Sequence, residues 1–264
     1  VINIQKYVRA QSLEEAYTLN QKKKNRILAG MLWTRMESGN VPVAIDLCDL
    51  GLDKIEENEE EFSIGAMVTL RQLQMHESFE NYCDGIVAKA VKDIIGVQFR
   101  NLATVGGSIW GRFGFSDVLT AFMALDTYVE LYKGGVIPLE QFARMQYDRD
   151  LLVRVIVKKK PGVFSYQAMR VQKTDFPILT CGVSCMDGVC KAVIGARPGK
   201  AVCIHDDRHL LDGEVTEKKA EAFAEYVAEQ VTTGSNMRGS AEYRTHLVKI
   251  LTGRGVMELG GVRA

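Results

Sequence analysis

Leu13, Ala16, Tyr17 and Asn20 recur at helical spacing directly after Ser12-Leu13-Glu14-Glu15, and the two signals together predict a capped helix that a lysine run then ends. Ile27 and Leu28 follow as a short strand, Ala29-Gly30 as a turn, and a short helix is predicted from about Thr34, with a further strand over residues 43–47. The acidic stretch 56–61 reads as an exposed turn. Phe62, Ile64 and Ala66 then alternate as a strand, Thr69-Leu70-Arg71-Gln72 forms a second capping box, and residues 83–95 carry the pattern of an amphipathic helix. Asp117 opens an apolar helical stretch closing in Ala124-Leu125-Asp126, followed by strands over 128–132 and 151–157.

Lys158-Lys159-Lys160-Pro161-Gly162 marks a boundary. Beyond it residues 164–196 read as antiparallel strands, with the hairpin signal Asp187-Gly188 between two apolar runs, and residues 216–231 and 240–252 read as helices. The predicted class is therefore α+β: a first domain over residues 1–160 and a smaller domain of antiparallel sheet plus helices over 161–264.

Composition narrows the function classes. With 33 basic and 33 acidic residues the formal net charge is zero, so no global field draws the chain to nucleic acid or to a membrane surface. No segment approaches the ~20 consecutive apolar residues of a transmembrane helix, and no signal-like run opens the sequence, so a cytoplasmic location is expected.

Two glycine-containing loops carry the candidate chemistry. Asn101-Leu102-Ala103-Thr104-Val105-Gly106-Gly107-Ser108 places a glycine pair beside hydroxyl groups, where the missing β-carbons let backbone N–H groups converge on an anion. A plain structural turn explains a bare Gly-Gly equally. Ile27 to Thr34 forms the second loop, strand to glycine turn to helix, which presents several amides to one pyrophosphate or packs Met31, Leu32 and Trp33 as core.

Other residue types offer less. Cys181, Val183 and Cys185 alternate on one strand face, and with Cys190 they read as small apolar fillers, because their spacings match no usual zinc or cluster pattern. Cys48, Cys83 and Cys203 are scattered and read as free thiols of a reducing compartment. His205 and His209 flank Asp206-Asp207 and read as a solvated face, so no metal ligand set is predicted. No activated-serine elbow, paired carboxylates, Walker loop or Gly-x-Gly-x-x-Gly fingerprint is present, which leaves a bound cofactor as the source of any chemistry.

The two loops together resemble the FAD-binding subunit of the molybdenum hydroxylases, the group containing xanthine dehydrogenase and aerobic carbon monoxide dehydrogenase. The similarity includes Ala44-Ile45-Asp46-Leu47, Ile64-Gly65-Ala66, Gln98-Phe99-Arg100-Asn101 leading into Ala103 to Ser108, Ser116-Asp117, Ala124-Leu125-Asp126 and Arg238-Gly239-Ser240-Ala241-Glu242-Tyr243-Arg244. It implies a two-part FAD-binding domain of the vanillyl-alcohol-oxidase-like type, with FAD extended and its pyrophosphate between the loops. By that likeness the amides of Ala29, Gly30, Met31, Leu32 and Trp33, and the segment Thr104, Val105, Gly106, Gly107 and Ser108, hold phosphates and ribityl. Asp117, with Ser116 beside it, accepts from sugar hydroxyls or merely caps its helix; Leu152 packs near the flavin, and Ile64-Gly65-Ala66 comes close to the cofactor.

The resemblance further implies a non-covalent flavin, since neither loop holds a histidine or cysteine. It implies an iron–sulfur partner with [2Fe–2S] clusters, a partner carrying the molybdenum cofactor, and NAD or another final acceptor. The first loop departs from the family, which usually carries a second glycine and polar residues where this chain has Met31, Leu32 and Trp33; Gln167 stands where the family tends to place a lysine, with Arg170 and Lys173 further on. A free-standing flavin oxidoreductase and a scaffold subunit without FAD are the alternatives. A purine or another N-heterocycle is the substrate class the family favours for the assembled complex.

Overall fold

The computed structural model describes residues 1–260, so the last four residues of the second predicted domain lie outside the described residues. The chain opens with a small parallel sheet in which Ala44–Asp46 lies between Tyr7–Arg9 and Arg26–Leu28, backed by the helix Leu13–Asn20. Ser12 caps that helix by accepting from Glu15 N. The reciprocal bond goes elsewhere, because the Glu15 carboxylate accepts from Gln11 N at 2.9 Å rather than from the cap residue itself.

A five-stranded antiparallel sheet follows, in the order Ile55–Glu57, Glu61–Gly65, Leu152–Lys158, Thr127–Leu131, Gly135–Pro138. The acidic stretch at 56–61 is thus a hairpin, its turn reduced to three residues by Asn58 Oδ1, which accepts from Glu60 N and Glu61 N at 2.8 Å each. The predicted helix over 83–95 is interrupted. Asp84 and Gly85 take φ of 52° and 68°, a left-handed pair that stops the helix Glu77–Tyr82 and restarts the chain as Ile86–Val91.

The C-terminal sheet runs Gly162–Met169, Leu179–Met186, Val189–Gly195, Val202–His205, antiparallel throughout. Asp187 and Gly188, at φ 48° and 77°, make the two-residue turn that Asp-Gly predicts. One face of this sheet packs on the helices Glu217–Gln230 and Ala241–Leu259, the latter ending seven residues beyond its predicted end. The other face lies on the helix Asp117–Ala124, all eight of whose residues are buried. Contact there is close: a Cβ on Gly195 would stand 2.3 Å from Thr120 Oγ1. Phe164, Tyr166 and Val193 consequently join the core built by Phe62, Phe79 and Phe122, and one apolar cluster runs beneath both sheets.

The cysteine reading needs one correction. Cys185 and Cys190 face each other in register across the hairpin, with Cα atoms 4.0 Å apart, and form a disulfide rather than filling a core. The strand alternation had placed Cys185 beside Cys181 and Val183, but the two-residue turn equally brings it opposite Cys190. Cys48, Cys83, Cys181 and Cys203 are free.

Candidate functional site

The two glycine loops touch. A Cβ on Gly30 would stand 1.8 Å from Leu102 O, so the first loop lies directly on the backbone that leads into the second, and only a residue without a side chain allows it. The next residue, Met31, takes φ 54°, the left-handed conformation that favours glycine. Its side chain packs against Leu28, Val41 and Ala44. Leu32 is buried in the main core, whereas Trp33 is half-exposed.

Among the described residues the backbone N–H groups of Gly30, Met31, Leu32 and Trp33 meet no protein acceptor, although the carbonyls of Met31 and Trp33 accept from Arg35 and Met36. The turn that carries these four donors has its backbone held by the close approach to Leu102 and by the left-handed Met31.

The second loop differs. Val105 N donates to Val68 O at 2.8 Å, Gly106 N to Ala66 O at 2.9 Å, and Gly107 N to the Thr104 hydroxyl at 3.0 Å, while Ser108 N returns to Thr104 O. Its amides are committed to the chain. The Thr104 hydroxyl caps the helix Val105–Trp110, and a Cβ on Gly106 would collide with Ala66 O at 2.5 Å, which makes Gly106 a packing residue. Gly107 is the open position: its added Cβ would meet only Thr104 Oγ1, at 3.1 Å, and a bound group can approach the main chain there. Of the two loops, the first thus keeps backbone donors without protein partners, while those of Val105 to Ser108 in the second are spent.

Asp117 is also placed differently from expectation. Ser116, not Asp117, caps the helix, accepting from Leu119 N at 3.1 Å. Asp117 Oδ1 accepts from Tyr166 OH at 2.5 Å and pairs with the Arg170 guanidinium; both charged side chains are buried. Burial pushes the Asp117 carboxyl upward while Arg170 and Tyr166 pull it back, and burial with the nearby carboxylate drives the Tyr166 phenol well above its ordinary range. Leu152 sits in the core at the start of its strand, and Gly65 and Ala66 lie one step from Gly106.

Sequence reasoning missed the aromatic neighbours. Trp33 packs on Phe113, Phe115 and Phe176, with ring centroids 5.8, 5.7 and 6.1 Å away, and Arg238 lies over Phe176 at 5.0 Å. This patch joins the first loop, the segment after the second loop and the C-terminal domain. Phe113-Gly114-Phe115 in the sequence was the available signal, since alternation across a glycine places two rings together.

Comparison with known proteins bears on family and fold. The family profile for the FAD binding domain in molybdopterin dehydrogenase matches residues 2–159, and that for the CO dehydrogenase flavoprotein C-terminal domain matches residues 164–259. Protein YgfM of Escherichia coli K12 is 24% identical over 255 residues, covering 94% of this chain and 93% of that one. The nicotine 6-hydroxylase medium subunit of Paenarthrobacter nicotinovorans is 25% identical over 275 residues, 97% of each chain. A carbon monoxide dehydrogenase chain from Hydrogenophaga pseudoflava superimposes with a TM-score of 0.86 over 100% of both chains at 19% identity, which establishes the shared fold. Loops, sheets and both profiles lead to one assignment: the chain belongs to the family of FAD-binding flavoprotein subunits of molybdopterin dehydrogenases.

Proposed function

We propose that the chain holds one FAD non-covalently and serves as the electron-transfer subunit of a molybdenum-containing hydroxylase. The observation that carries this reading is the row of backbone N–H groups at Gly30 to Trp33 that meet no protein acceptor, together with the open main chain at Gly107. Donors left without partners by the protein fit a pyrophosphate, whose charge they meet without further rearrangement.

When bound, FAD supplies two-electron uptake and release, a chemistry that the side chains here lack. The chain's own residues bind and orient. Gly30 through Trp33 donate to phosphate oxygens, Gly107 lets the cofactor pass close to the backbone, and the Asp117–Arg170–Tyr166 group fixes the C-terminal sheet against the helix that follows the second loop. Its partners are an iron–sulfur subunit with [2Fe–2S] clusters and a molybdopterin subunit, and NAD is the proposed acceptor. No helix of the described residues is long and apolar enough to cross a membrane, and we place the complex in the cytoplasm.

A second reading, a scaffold subunit that has lost FAD, is favoured by the commitment of the second loop's amides and by the pairing of Asp117 with Arg170. The absorption spectrum of the purified chain separates the two. A yellow protein whose colour passes into the supernatant on acid precipitation supports FAD binding; a colourless chain that takes up no added FAD supports the scaffold. In anaerobic stopped-flow the flavin of the isolated chain should stay oxidised with purines, N-heterocycles or aldehydes, and reduction by any of them without partners would make the chain an independent oxidoreductase.

A further inference from the structure

The helix Leu139–Arg144 and the strand Val202–His205 meet at the seam between the N-terminal part of the chain and the C-terminal sheet. Cys203 and His205, two apart on the strand, share one face, and Glu140 reaches them from the first turn of the helix. Cys203 Sγ lies 3.5 Å from His205 Nε2, which lies 3.3 Å from Glu140 Oε2, and all three donor atoms fall within 4.8 Å of one another.

These spacings match the edges of a metal polyhedron. A tetrahedral zinc-class ion about 2.3 Å from sulfur and about 2.0 Å from nitrogen and oxygen holds its S and N ligands about 3.5 Å apart and its N and O ligands about 3.3 Å apart. Exposure fits as well. Cys203 is buried, while the His205 and Glu140 side chains are 42% and 32% exposed, so a cation at their centre keeps a side open to water. His205 also lines a surface pocket of about 280 Å³ together with Asp206, His209 and Asp212.

We propose that Glu140, Cys203 and His205 form a binding site for a divalent cation of the zinc class, with water in the fourth position, that clamps the helix to the C-terminal sheet. Thiolate, imidazole and carboxylate are the donor set that Zn²⁺ accepts. On binding, the cation takes the place of the thiol proton on Cys203 Sγ and that proton passes to solvent. Two cations stand nearby without blocking the centre: Arg144 pairs with the other oxygen of Glu140, and Lys191, opposite His205 on the neighbouring strand, donates to Leu125 O at 3.0 Å.

The same spacings also serve a hydrogen-bonded chain, and metal titration separates the two. Cobalt(II) is added to the full chain carrying Cys48→Ser, which removes the exposed free thiol, with the Cys185–Cys190 disulfide left intact. The expected result is a thiolate-to-cobalt charge-transfer band saturating at one equivalent and erased by added zinc. Cys203→Ser should abolish the band, and His205→Gln and Glu140→Gln, both at exposed side chains and checked for fold by circular dichroism, should weaken binding by at least ~10-fold. Absence of the band, its persistence in Cys203→Ser, or unchanged affinity in both other variants would overturn the proposal.

Discussion

Arg170 lies just beyond the first strand of the C-terminal sheet, and Asp117 opens a buried helix ahead of the domain boundary; the two meet as an ion pair whose side chains are only 9% and 6% exposed. Tyr166 completes the group through its hydroxyl, and Arg170 also donates to Asp175 O at 2.8 Å. A pair so enclosed is expensive to break on one side only, because the surviving charge stays in a poorly solvated place.

Arg170→Met alone should therefore destabilise the chain by ~3–5 kcal/mol, whereas Asp117→Leu combined with Arg170→Met should recover most of that loss. Urea unfolding of the single and double variants measures both. A single variant within ~1 kcal/mol of the parent would show that water reaches the pair.

Glu80 gives a pH dependence of defined sign. Its Oε2 accepts from Ala88 N at 2.9 Å, its Oε1 is buried without a partner, and burial pushes its carboxyl up to about 7. The folded state thus holds a proton that the unfolded chain releases near its ordinary pKa of about 4.5. This contribution is complete below pH ~4.5 and is lost as pH rises through about 7, by ~3 kcal/mol in all. Glu80→Gln should flatten that part of the stability profile in chemical denaturation, and an unchanged slope would mean the carboxyl titrates normally.

Met31 reverses the usual order of alanine and glycine. Both truncations remove the same packing against Leu28 and Val41, so their difference reports the backbone. At an ordinary position alanine is the more stable by ~0.5–1 kcal/mol. With φ at 54°, Met31→Gly should instead exceed Met31→Ala by about 1 kcal/mol in thermal or urea unfolding. Alanine equal or superior would place Met31 outside the left-handed region.

Gly30 and Gly106 should be intolerant for packing reasons that hold without any cofactor. Gly30→Ala forces Cβ into Leu102 O and should cost ~1–3 kcal/mol through separation of the loops. A neutral Gly30→Ala would show that the loops do not touch.

Much of this was legible in the chain. The capping box at Thr69, the Asp187-Gly188 hairpin and the apolar helix from Asp117 all stand where local pattern places them, because each depends on neighbours a few residues away. The glycine loops were legible as a pair, but their inequality was not: the Val105 and Gly106 amides are spent on Val68 and Ala66, partners some forty residues upstream. Asp117 looked like a free acceptor because Tyr166 and Arg170 lie about fifty residues on, and the Cys185–Cys190 pairing follows from register, which alternation along one strand does not fix. Cys203 was read as a scattered thiol and His205 as a solvated face for the same reason, since only the packing of a helix on a distant strand joins them to Glu140.

The central claim is that FAD binds at the first loop's free amides and passes the open main chain at Gly107. Titration of the purified chain with FAD, followed by flavin fluorescence, tests it directly when parent and Gly107→Val are compared at equal helical content by circular dichroism. The account predicts saturation near one FAD per chain for the parent and no retention by the variant, whose branched side chain occupies the approach to the backbone. A parent chain that binds no FAD, or a variant that binds it with unchanged affinity, would contradict it.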